Sequence, residues 1–150
     1  MNRGTVKNYK YRFRDSKRID LDQLVRHYQY GWWSQNRKKA DVKKMLANSN
    51  VAISLWDGKK LIGFARVLTD FVYRATVWDV IIHPDYQGQG LGKLIMDKVL
   101  KHPKLKKVSY FWLITSDKQK FYKKLGWKME ENWSMYWDRK ANSKGCPCVD

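Results

Sequence analysis

Apolar positions in the first third of the chain follow the period of an α-helix. The segment 20–30 begins with Asp20, and Gln23 stands three positions later, as in a capping box. One helical face of this segment is then apolar, at Leu21, Leu24, Val25 and Tyr28. The pattern predicts a helix over 20–30, preceded by a strand at 9–13 and followed by a shorter helix over 37–48.

The middle of the chain changes to the patterns of strands. The runs "VAISLW" and "KLIGFARVL" flank Asp57-Gly58, which is a strong signal for a β-hairpin. The run "ATVWDVII" over 75–82 is almost continuously apolar, as in a central strand that is buried on both faces. A helix ("LGKLIMDKVLKH"), a strand ("KVSYFWLIT"), a helix ("DKQKFYKKLGW") and a closing strand pair ("KMEENWSMYWD") follow. The order predicts an α/β domain whose mixed sheet has helices on both sides.

Length and composition limit the class of protein. The 150 residues are most simply one domain over 1–140 with a flexible polar tail over 141–150. No apolar run approaches the roughly 20 residues that span a bilayer, so we expect a soluble, cytoplasmic protein with no membrane contact. Both cysteines, Cys146 and Cys148, lie in the tail. Two cysteines with no histidine nearby predict no metal site.

The net charge of +17 is typical of a protein with an anionic partner or with a lysine-rich solvated surface. Basic surfaces bind nucleic acid through the release of counterions. The 31 lysines and arginines are spread along the chain, however, and the sequence contains no basic arm and no nucleic-acid motif. A smaller polyanion, such as a nucleotide cofactor, also benefits from this charge. We therefore expect no specific nucleic-acid partner and keep a non-enzymatic nucleic-acid-binding module as an alternative.

Three glycines alternate in "QGQGLG", between the strand 75–82 and the helix after it. Glycine loops at such junctions bind phosphate through free backbone N–H groups and the positive end of the helix. A Rossmann fingerprint has the spacing G-x-G-x-x-G and an acidic residue about 20 positions later, whereas Trp112 stands there. A Walker loop has a glycine and a hydroxyl residue where Gln87 and Leu94 stand. Both of these classes are excluded.

The loop resembles the Q/R-x-x-G-x-G/A signature of the GCN5-related N-acetyltransferases, the acetyl-CoA-dependent GNAT family. The resemblance covers roughly residues 9–138 and rests on "LIGFARV", "TVWDVIIHPDYQGQGLG", the helix after it and "FYKKLGW", in that order. The "WDV" strand is most similar to that of a plant, algal and cyanobacterial group of small-amine acetyltransferases. The resemblance implies a GNAT fold with a mixed sheet of about six to seven strands and about four helices. Acetyl-CoA then lies between two splayed strands, 75–82 and 107–114.

The resemblance also implies which residues hold acetyl-CoA. The pantetheine arm pairs with backbone groups of Val80, Ile81 and Ile82. The pyrophosphate rests on the backbone N–H groups of the loop, which are those of Gln87, Gly88, Gln89, Gly90, Leu91, Gly92 and Lys93. Many family members carry a CoA-binding asparagine at the position of Thr115, so the contact expected of Thr115 departs from the family pattern.

Acetyl transfer requires a neutral amine and a proton for the leaving thiolate. Since an alkyl amine has a pKa of about 10.4 and a thiol one of about 8.5, a general base and a proton donor are expected. Asp79 is the candidate base because burial raises the pKa of a carboxyl group. Alternatively, Asp79 anchors the cationic amine or forms a structural ion pair with Arg66 or Arg74. Tyr122 matches the tyrosine with which the family protonates the thiolate, and its alternative role is packing. His83 is a further candidate because histidine titrates near neutrality. However, its place before a proline is typical of a turn residue.

Aromatic residues are expected to line the acceptor pocket. The segment "YQYGWWSQNRKK" and the C-terminal strands supply candidates for stacking or cation–π contact with the acceptor. Tyr30 and Trp33 are preferred, and the other candidates are Trp32, Trp133 and Trp137. For each of them, packing in the core is the alternative role. The predicted function is acetyl transfer from acetyl-CoA to a small primary amine, either a polyamine such as putrescine or spermidine or an arylalkylamine. A protein lysine or N-terminus is the alternative acceptor. The enzyme is expected to be a monomer or a homodimer.

Overall fold

The computed structural model describes residues 10–131 and residue 135. Its strands are β1 (Arg12–Asp15), β2 (Val51–Asp57), β3 (Lys60–Thr69), β4 (Arg74–Ile82) and β5 (Tyr110–Trp112). Its helices are α1 (Leu21–Tyr28), α2 (Lys39–Ala47), α3 (Leu91–Leu100) and α4 (Gln119–Lys124). The chain divides into two compact units: one ends at Ile114 and contains the strands with α1 to α3, and the other begins at Thr115 and contains α4.

The five strands form one sheet in the order β1-β2-β3-β4-β5. Neighbouring strands are antiparallel, except that β4 and β5 are parallel. The predicted α/β class with a mixed sheet is therefore confirmed, and so is the hairpin at Asp57-Gly58, which joins β2 to β3. The predicted strand count is too high for the described residues. Residues 128–131 and residue 135 form no strand, and the rest of the expected closing pair lies outside the described part of the chain.

Helix α1 begins as its sequence predicts. The Asp20 carboxylate accepts the N–H of Gln23 at 2.8 Å, which caps the helix. The apolar face of α1 is buried with side chains of α2 and the sheet, in a cluster that includes Leu24, Tyr28, Val42, Leu46, Phe64 and Ile81. A helix of eight residues is too short to be stable alone in water, so the burial of this face is what stabilises it.

Helices cover both faces of the sheet, and two adjacent residues of β3 show how. The Phe64 ring packs edge to face against Tyr28 of α1, with 6.0 Å between the ring centroids. Gly63 lies under α3, where an added Cβ would come within 2.7 Å of the Ile95 side chain. Because successive strand residues point to opposite faces, α1 and α3 lie on opposite sides of the sheet. The absence of a side chain at Gly63 is what permits the close approach of α3.

Strand β4 contains a β-bulge in its middle. The register with β3 shifts between Phe64 and Arg66, so Ala65 faces two residues of β4, Asp79 and Val80. Asp79 has a φ of 58°, in the left-handed region that non-glycine residues rarely adopt. The bulge therefore places a strained aspartate in the middle of β4.

Strand β4 pairs with β5 only where β4 begins. The ladder joins residues 74–76 to residues 110–112, and β4 then continues to Ile82 with no described partner on that side. The unpaired edge of β4, residues 77–82, is about 20 Å long. Side chains along β4 alternate between buried and half-buried, so the prediction that both faces are buried is wrong. The open edge leaves one face of the strand partly accessible.

Candidate functional site

The glycine loop connects β4 to α3 through a short 3-10 turn, Pro84–Tyr86. His83 caps this turn, because its Nδ1 accepts the N–H of Asp85 at 3.2 Å. Gly88 and Gly90 both have a φ of 76°, in the left-handed region that favours glycine. A Cβ at either position would meet open space. The backbone conformation, and not crowding within the protein, therefore requires glycine in this loop.

The loop presents a row of backbone N–H groups. Within the described part of the chain, no group accepts a hydrogen bond from the N–H groups of Gly88 to Lys93. The first hydrogen bond of α3 runs from the N–H of Leu94 to the carbonyl of Gly90, at 3.2 Å. Free N–H groups at the positive end of a helix favour a bound anion. This local arrangement fits the pyrophosphate of CoA.

Gln87 precedes these free N–H groups, but its own N–H and its side chain both form hydrogen bonds with residues earlier in the chain. Its N–H donates to the carbonyl of Pro84 at 3.2 Å, and its side-chain amide donates to the carbonyl of Ile82 at 3.1 Å. Gln87 therefore supports the loop and has no free N–H to offer a ligand. The residues whose N–H groups fit the pyrophosphate are Gly88, Gln89, Gly90, Leu91, Gly92 and Lys93.

The open edge of β4 lies directly before the loop. Val80, Ile81 and Ile82, which were predicted to contact pantetheine, belong to the part of β4 that β5 does not pair. The carbonyl of Ile81 accepts a hydrogen bond from Nε2 of His27 at 3.0 Å, and this hydrogen bond connects α1 to β4. The edge and the loop follow each other in the chain, joined by the hydrogen-bonded turn at residues 83–87. An unpaired edge followed by such a loop fits an extended ligand that ends in phosphate groups.

Asp79 lies at the bulge and is enclosed by hydrogen-bond donors. Its carboxylate accepts two hydrogen bonds from the Arg37 guanidinium, at 2.8 and 3.1 Å. It accepts a third from Nε of Arg66 at 2.5 Å and a fourth from the Tyr28 hydroxyl at 2.8 Å. The Asp79 side chain is only 2% exposed. The carboxylate thus joins β4 to β3, to α1 and to the segment between α1 and α2.

These contacts determine the protonation state of Asp79. Burial by itself raises the pKa of a carboxyl group, but the hydrogen bonds and positive charges of Arg37 and Arg66 outweigh burial and hold the pKa of Asp79 below its ordinary value. The expected rise of this pKa is therefore not found. The ion pair that the sequence left open is present with Arg66. The role of Asp79 as a general base stays a prediction, and a carboxylate with a lowered pKa is a weak base.

The sequence does not single out Arg37. It is one of 31 basic residues, and it lies 42 positions before Asp79. Arg74, the other expected partner of Asp79, lies instead over the rings of Tyr110 and Trp112, at 5.2 and 5.0 Å from the ring centroids. The one available signal for Arg37 is its position after an aromatic-rich segment, because guanidinium groups stack on aromatic rings.

Tyr30, a predicted substrate-binding residue, follows α1 and reaches the end of β4. Its hydroxyl lies 2.9 Å from Nε2 of His83. Since Nδ1 of His83 accepts a backbone N–H, the neutral ring carries its proton on Nε2 and donates it to Tyr30. Burial and the charge of Lys60 lower the pKa of His83, which favours this neutral ring. The ring of Tyr30 is 44% exposed, so it is accessible to a ligand.

The tryptophans between α1 and α2 are accessible as well. Trp32 is 66% exposed and Trp33 is 42% exposed. The ring of Trp33 lies 5.3 Å from the Arg37 guanidinium, which connects it to the carboxylate at the bulge. Trp133 and Trp137, which were also predicted for the pocket, lie outside the described residues. Among the described tryptophans of this segment, Trp33 is therefore the one linked through Arg37 to Asp79 in β4.

The second unit holds the candidate proton donor, Tyr122, in α4. Its ring packs edge to face against Phe121 and Trp127, with centroid distances of 4.9 and 6.0 Å. Burial raises the pKa of Tyr122 to about 12, so the phenol keeps its proton at neutral pH. The hydroxyl of Thr115 accepts the N–H of Lys118 at 3.0 Å, just before α4 begins. Thr115 thus has a structural role in this unit, and its contact with CoA stays a prediction.

Comparison with known proteins bears on what this arrangement does. A family model described as "Acetyltransferase (GNAT) domain" matches residues 48–129. An "Uncharacterized N-acetyltransferase ycf52" of Gracilaria tenuistipitata var. liui is 40% identical over 130 residues, which are 83% of this chain and 69% of that protein. The protein of the same name from Pyropia yezoensis is 44% identical over 101 residues, 64% of this chain and 57% of that protein. The chain therefore spans little more than half of the length of this second relative.

A relative that matches a shorter part of the chain and a solved structure are also similar to this protein. The "Histone acetyltransferase TAP1" of Glycine max is 37% identical over 82 residues, which are 53% of this chain and 36% of that protein. The crystal structure of a putative acetyltransferase from Deinococcus radiodurans R1 superposes with a TM-score of 0.74 over 92% of this chain and 94% of that one, at 22% identity, which shows the fold alone. The glycine loop, the open edge of β4 and the matched sequence agree with one another: this chain belongs to the GNAT family.

Proposed function

We propose that the chain transfers the acetyl group of acetyl-CoA to a small primary amine, either a polyamine such as putrescine or spermidine or an arylalkylamine. The observation that supports this most is the edge of β4 that β5 does not pair, followed closely in the chain by the free N–H groups of the glycine loop. It lies in the same unit as a segment with exposed aromatic side chains at Tyr30 and Trp33. The unpaired edge and the loop suit the donor, and the aromatic segment suits the body of a small acceptor.

On the donor side, the N–H groups of Gly88 to Lys93 are assigned to the pyrophosphate of CoA. These groups have no other described acceptor and lie at the positive end of α3. The edge of β4 over residues 80–82, which β5 does not pair, is assigned to the pantetheine arm, which pairs with a strand edge as an extended peptide does. When bound, acetyl-CoA supplies the thioester, and the chain holds and orients it.

Replacing Gly90 by valine is expected to weaken acetyl-CoA binding by at least about tenfold, because a β-branched residue at a φ of 76° strains the backbone by about 1–2 kcal/mol or displaces the loop. Isothermal titration with acetyl-CoA measures the loss. Gly58→Val is the matched control, since Gly58 has a φ of 56° in the β2–β3 turn and open space around it. Equal losses of affinity in the two variants would contradict the assignment of the loop.

On the acceptor side, one carboxylate faces two guanidinium groups, so the cluster at the bulge is net positive at neutral pH. Both arginines compete with an ammonium group for the oxygens of Asp79, which disfavours Asp79 as the amine anchor. Stacking on Tyr30 and Trp33 is the remaining way to hold a small acceptor. Since a positive cluster repels polycations, this arrangement favours an arylalkylamine over a polyamine.

A panel of amines tests the acceptor class, with the release of the CoA thiol as the signal. The panel contains putrescine, spermidine, 2-phenylethylamine and tryptamine. We expect release above the rate with water alone, and faster release with the two arylalkylamines. Trp33→Ala is expected to raise the KM for tryptamine by about tenfold, whereas Trp32→Ala leaves it nearly unchanged. Silence with every amine, while acetyl-CoA still binds, would contradict the small-amine proposal.

A protein lysine or N-terminus is the second candidate acceptor. The observation that favours it is the match to a relative named as a histone acetyltransferase. Incubation with acetyl-CoA and a lysine-containing histone peptide, followed by mass spectrometry, measures this activity directly. Acetylation of the peptide without release of thiol for any small amine would select this second candidate.

The remaining predictions concern the location, the oligomeric state and the macromolecular partners of the enzyme. Within the described residues, no helix has the length and apolar character needed to cross a membrane. The cytoplasmic location, the monomeric or homodimeric state and the absence of a specific nucleic-acid partner all stay predictions.

A further inference from the structure

Arg37 forms the one described salt bridge between the α1–α2 segment, residues 29–38, and strand β4. Its guanidinium meets the Asp79 carboxylate as a fork, with Nη1 at 2.8 Å from one oxygen and Nη2 at 3.1 Å from the other. A two-pronged pair of this kind constrains both distance and orientation. The fork thus fixes the segment against β4 at the position of the bulge.

Aromatic rings hold the guanidinium of Arg37 in place. It lies 4.5 Å from the ring centroid of Tyr28 and 5.3 Å from that of Trp33. The Tyr28 hydroxyl donates to the same carboxylate as Arg37 does. Arg37 therefore belongs to a packed cluster, although its side chain is 29% exposed.

The residue that Arg37 binds is itself conformationally strained. Asp79 has a φ of 58°, and a non-glycine residue in such a conformation persists only when its surroundings hold it there. Arg66 holds Asp79 from within the sheet, on the neighbouring strand. Arg37 and Tyr28 hold it from outside the sheet. The conformation of the bulge and the position of the α1–α2 segment are therefore set by the same contacts.

We infer that Arg37 is a positioning residue for acetyl transfer, which keeps the α1–α2 segment and the bulge of β4 in one fixed relation. The bulge lies within the open edge of β4, and the segment carries Tyr30 and Trp33. Loss of the fork lets these two parts move independently, so the acceptor is less often aligned with the donor. The inference depends on the acetyltransferase activity and not on the identity of the amine.

Three variants test the inference. Arg37→Gln removes the charge and the fork, and Arg37→Lys keeps the charge but has no planar fork. Lys38→Gln removes one positive charge from the next, exposed residue and is the matched control. We expect Arg37→Gln to lower kcat by about 10- to 100-fold and Arg37→Lys by about tenfold, since small misplacements of reactants have effects of this size. Lys38→Gln stays within about twofold of the wild type.

Two binding and mobility measurements separate positioning from general damage. The Kd for acetyl-CoA is expected to change by less than about threefold in all three variants, because the glycine loop is intact. Hydrogen exchange is expected to become faster in peptides that cover 29–38 and 77–83 in the Arg37 variants only. Thiol release is measured with the most active amine of the panel or, if none is active, with water as the acceptor. A failed panel therefore overturns the small-amine proposal and leaves this test in place.

The pH dependence supplies a readout that a purely structural role does not change. Asp79 faces Arg66 on β3, Tyr28 on α1 and Arg37, and it loses one of its two positive neighbours in Arg37→Gln. It then takes up a proton at a higher pH, so the acid limb of the kcat profile moves to higher pH in Arg37→Gln but not in Lys38→Gln.

The inference is overturned if Arg37→Gln and Lys38→Gln have the same kcat, or if acetyl-CoA affinity falls as much as kcat does. Unchanged exchange in both segments also overturns it. If Arg37→Gln does not fold, Arg37→Lys decides the matter by the same measurements, because it retains the positive charge beside Asp79.

Discussion

Replacement of Tyr122 by phenylalanine is expected to lower kcat by about 100-fold or more, which is the usual contribution of a positioned proton donor. The Kd for acetyl-CoA is expected to stay the same. This follows from the proposal that Tyr122 donates a proton, or a strong hydrogen bond, to the thiolate that leaves when the amide forms.

The surroundings of Tyr122 keep its O–H group protonated and its ring packed. Burial raises the pKa of the phenol to about 12, so it is protonated throughout the range in which an acetyltransferase is assayed. The ring packs against Phe121 and Trp127, and phenylalanine preserves both contacts. The substitution therefore removes the O–H group and little else, and a loss of turnover reports on that group.

Steady-state kinetics and isothermal titration check the prediction together. Tyr73→Phe is a matched control, because Tyr73 is 70% exposed and lies before the paired part of β4. It is expected to leave kcat unchanged. Wild-type turnover in Tyr122→Phe would leave Tyr122 as a packing residue of α4, and a parallel loss of acetyl-CoA affinity would indicate damage to the second unit.

Lowering the pH from 6.5 to about 4 is expected to reduce the free energy of unfolding by about 3 kcal/mol through His27 alone. His27 is 2% exposed, and its Nδ1 is buried without a described partner. Burial lowers the pKa of His27 from 6.5 to about 4, although the hydrogen bond to the carbonyl of Ile81 opposes this change. One pKa unit corresponds to about 1.4 kcal/mol, which gives the expected size.

The sign follows from proton uptake. Between pH 6.5 and about 4 the unfolded chain binds a proton at His27 and the folded chain does not, so acid favours the unfolded state. The contribution of His27 to the free energy of unfolding is fully present above pH 6.5. Below about pH 4 both the folded and the unfolded chain carry the proton, so His27 lowers the free energy of unfolding no further. The carboxyl group of Asp79 acts in a different range. Its pKa is lowered on folding, so its contribution persists down to its ordinary pKa of 3.8 and is lost only at lower pH.

Urea unfolding at intervals between pH 4 and pH 7 measures the effect. His27→Gln keeps an amide that can donate to the Ile81 carbonyl but has no group that titrates in this range. Its free energy of unfolding is expected to vary much less with pH than that of the wild type. Equal slopes for the two proteins would show that His27 does not carry the acid sensitivity.

The glycine loop is the part of the site that local sequence predicts well. Gly88 and Gly90 adopt a backbone conformation that other residues resist, and they stand between a run typical of a strand and one typical of a helix. The features that suit the loop to a phosphate group all lie within a few residues: the free N–H groups, the turn and the start of α3. The same holds for the Asp20 cap of α1 and the turn at Asp57-Gly58.

The surroundings of Asp79 are the part that the sequence predicts poorly. An aspartate in an apolar strand has to be paired or functional, but its partners come from α1, β3 and the α1–α2 segment. Burial alone raises the pKa of the carboxyl group and two arginines lower it, so the direction depends on contacts that the sequence does not state. The extent of β5 is a similar case, because only pairing with β4 defines it.

By itself, the sequence determined the class of fold, the order of most elements and the loop that fits the donor, because these depend on the period of apolar residues and on the backbone freedom of glycine. Tertiary structure alone decided the state of Asp79, the pairing of Arg37 with it and the neutral ring of His27. Each of these depends on which charges and hydrogen-bond donors the fold brings within about 3 Å, where electrostatic interactions are strong and change sign with the partner.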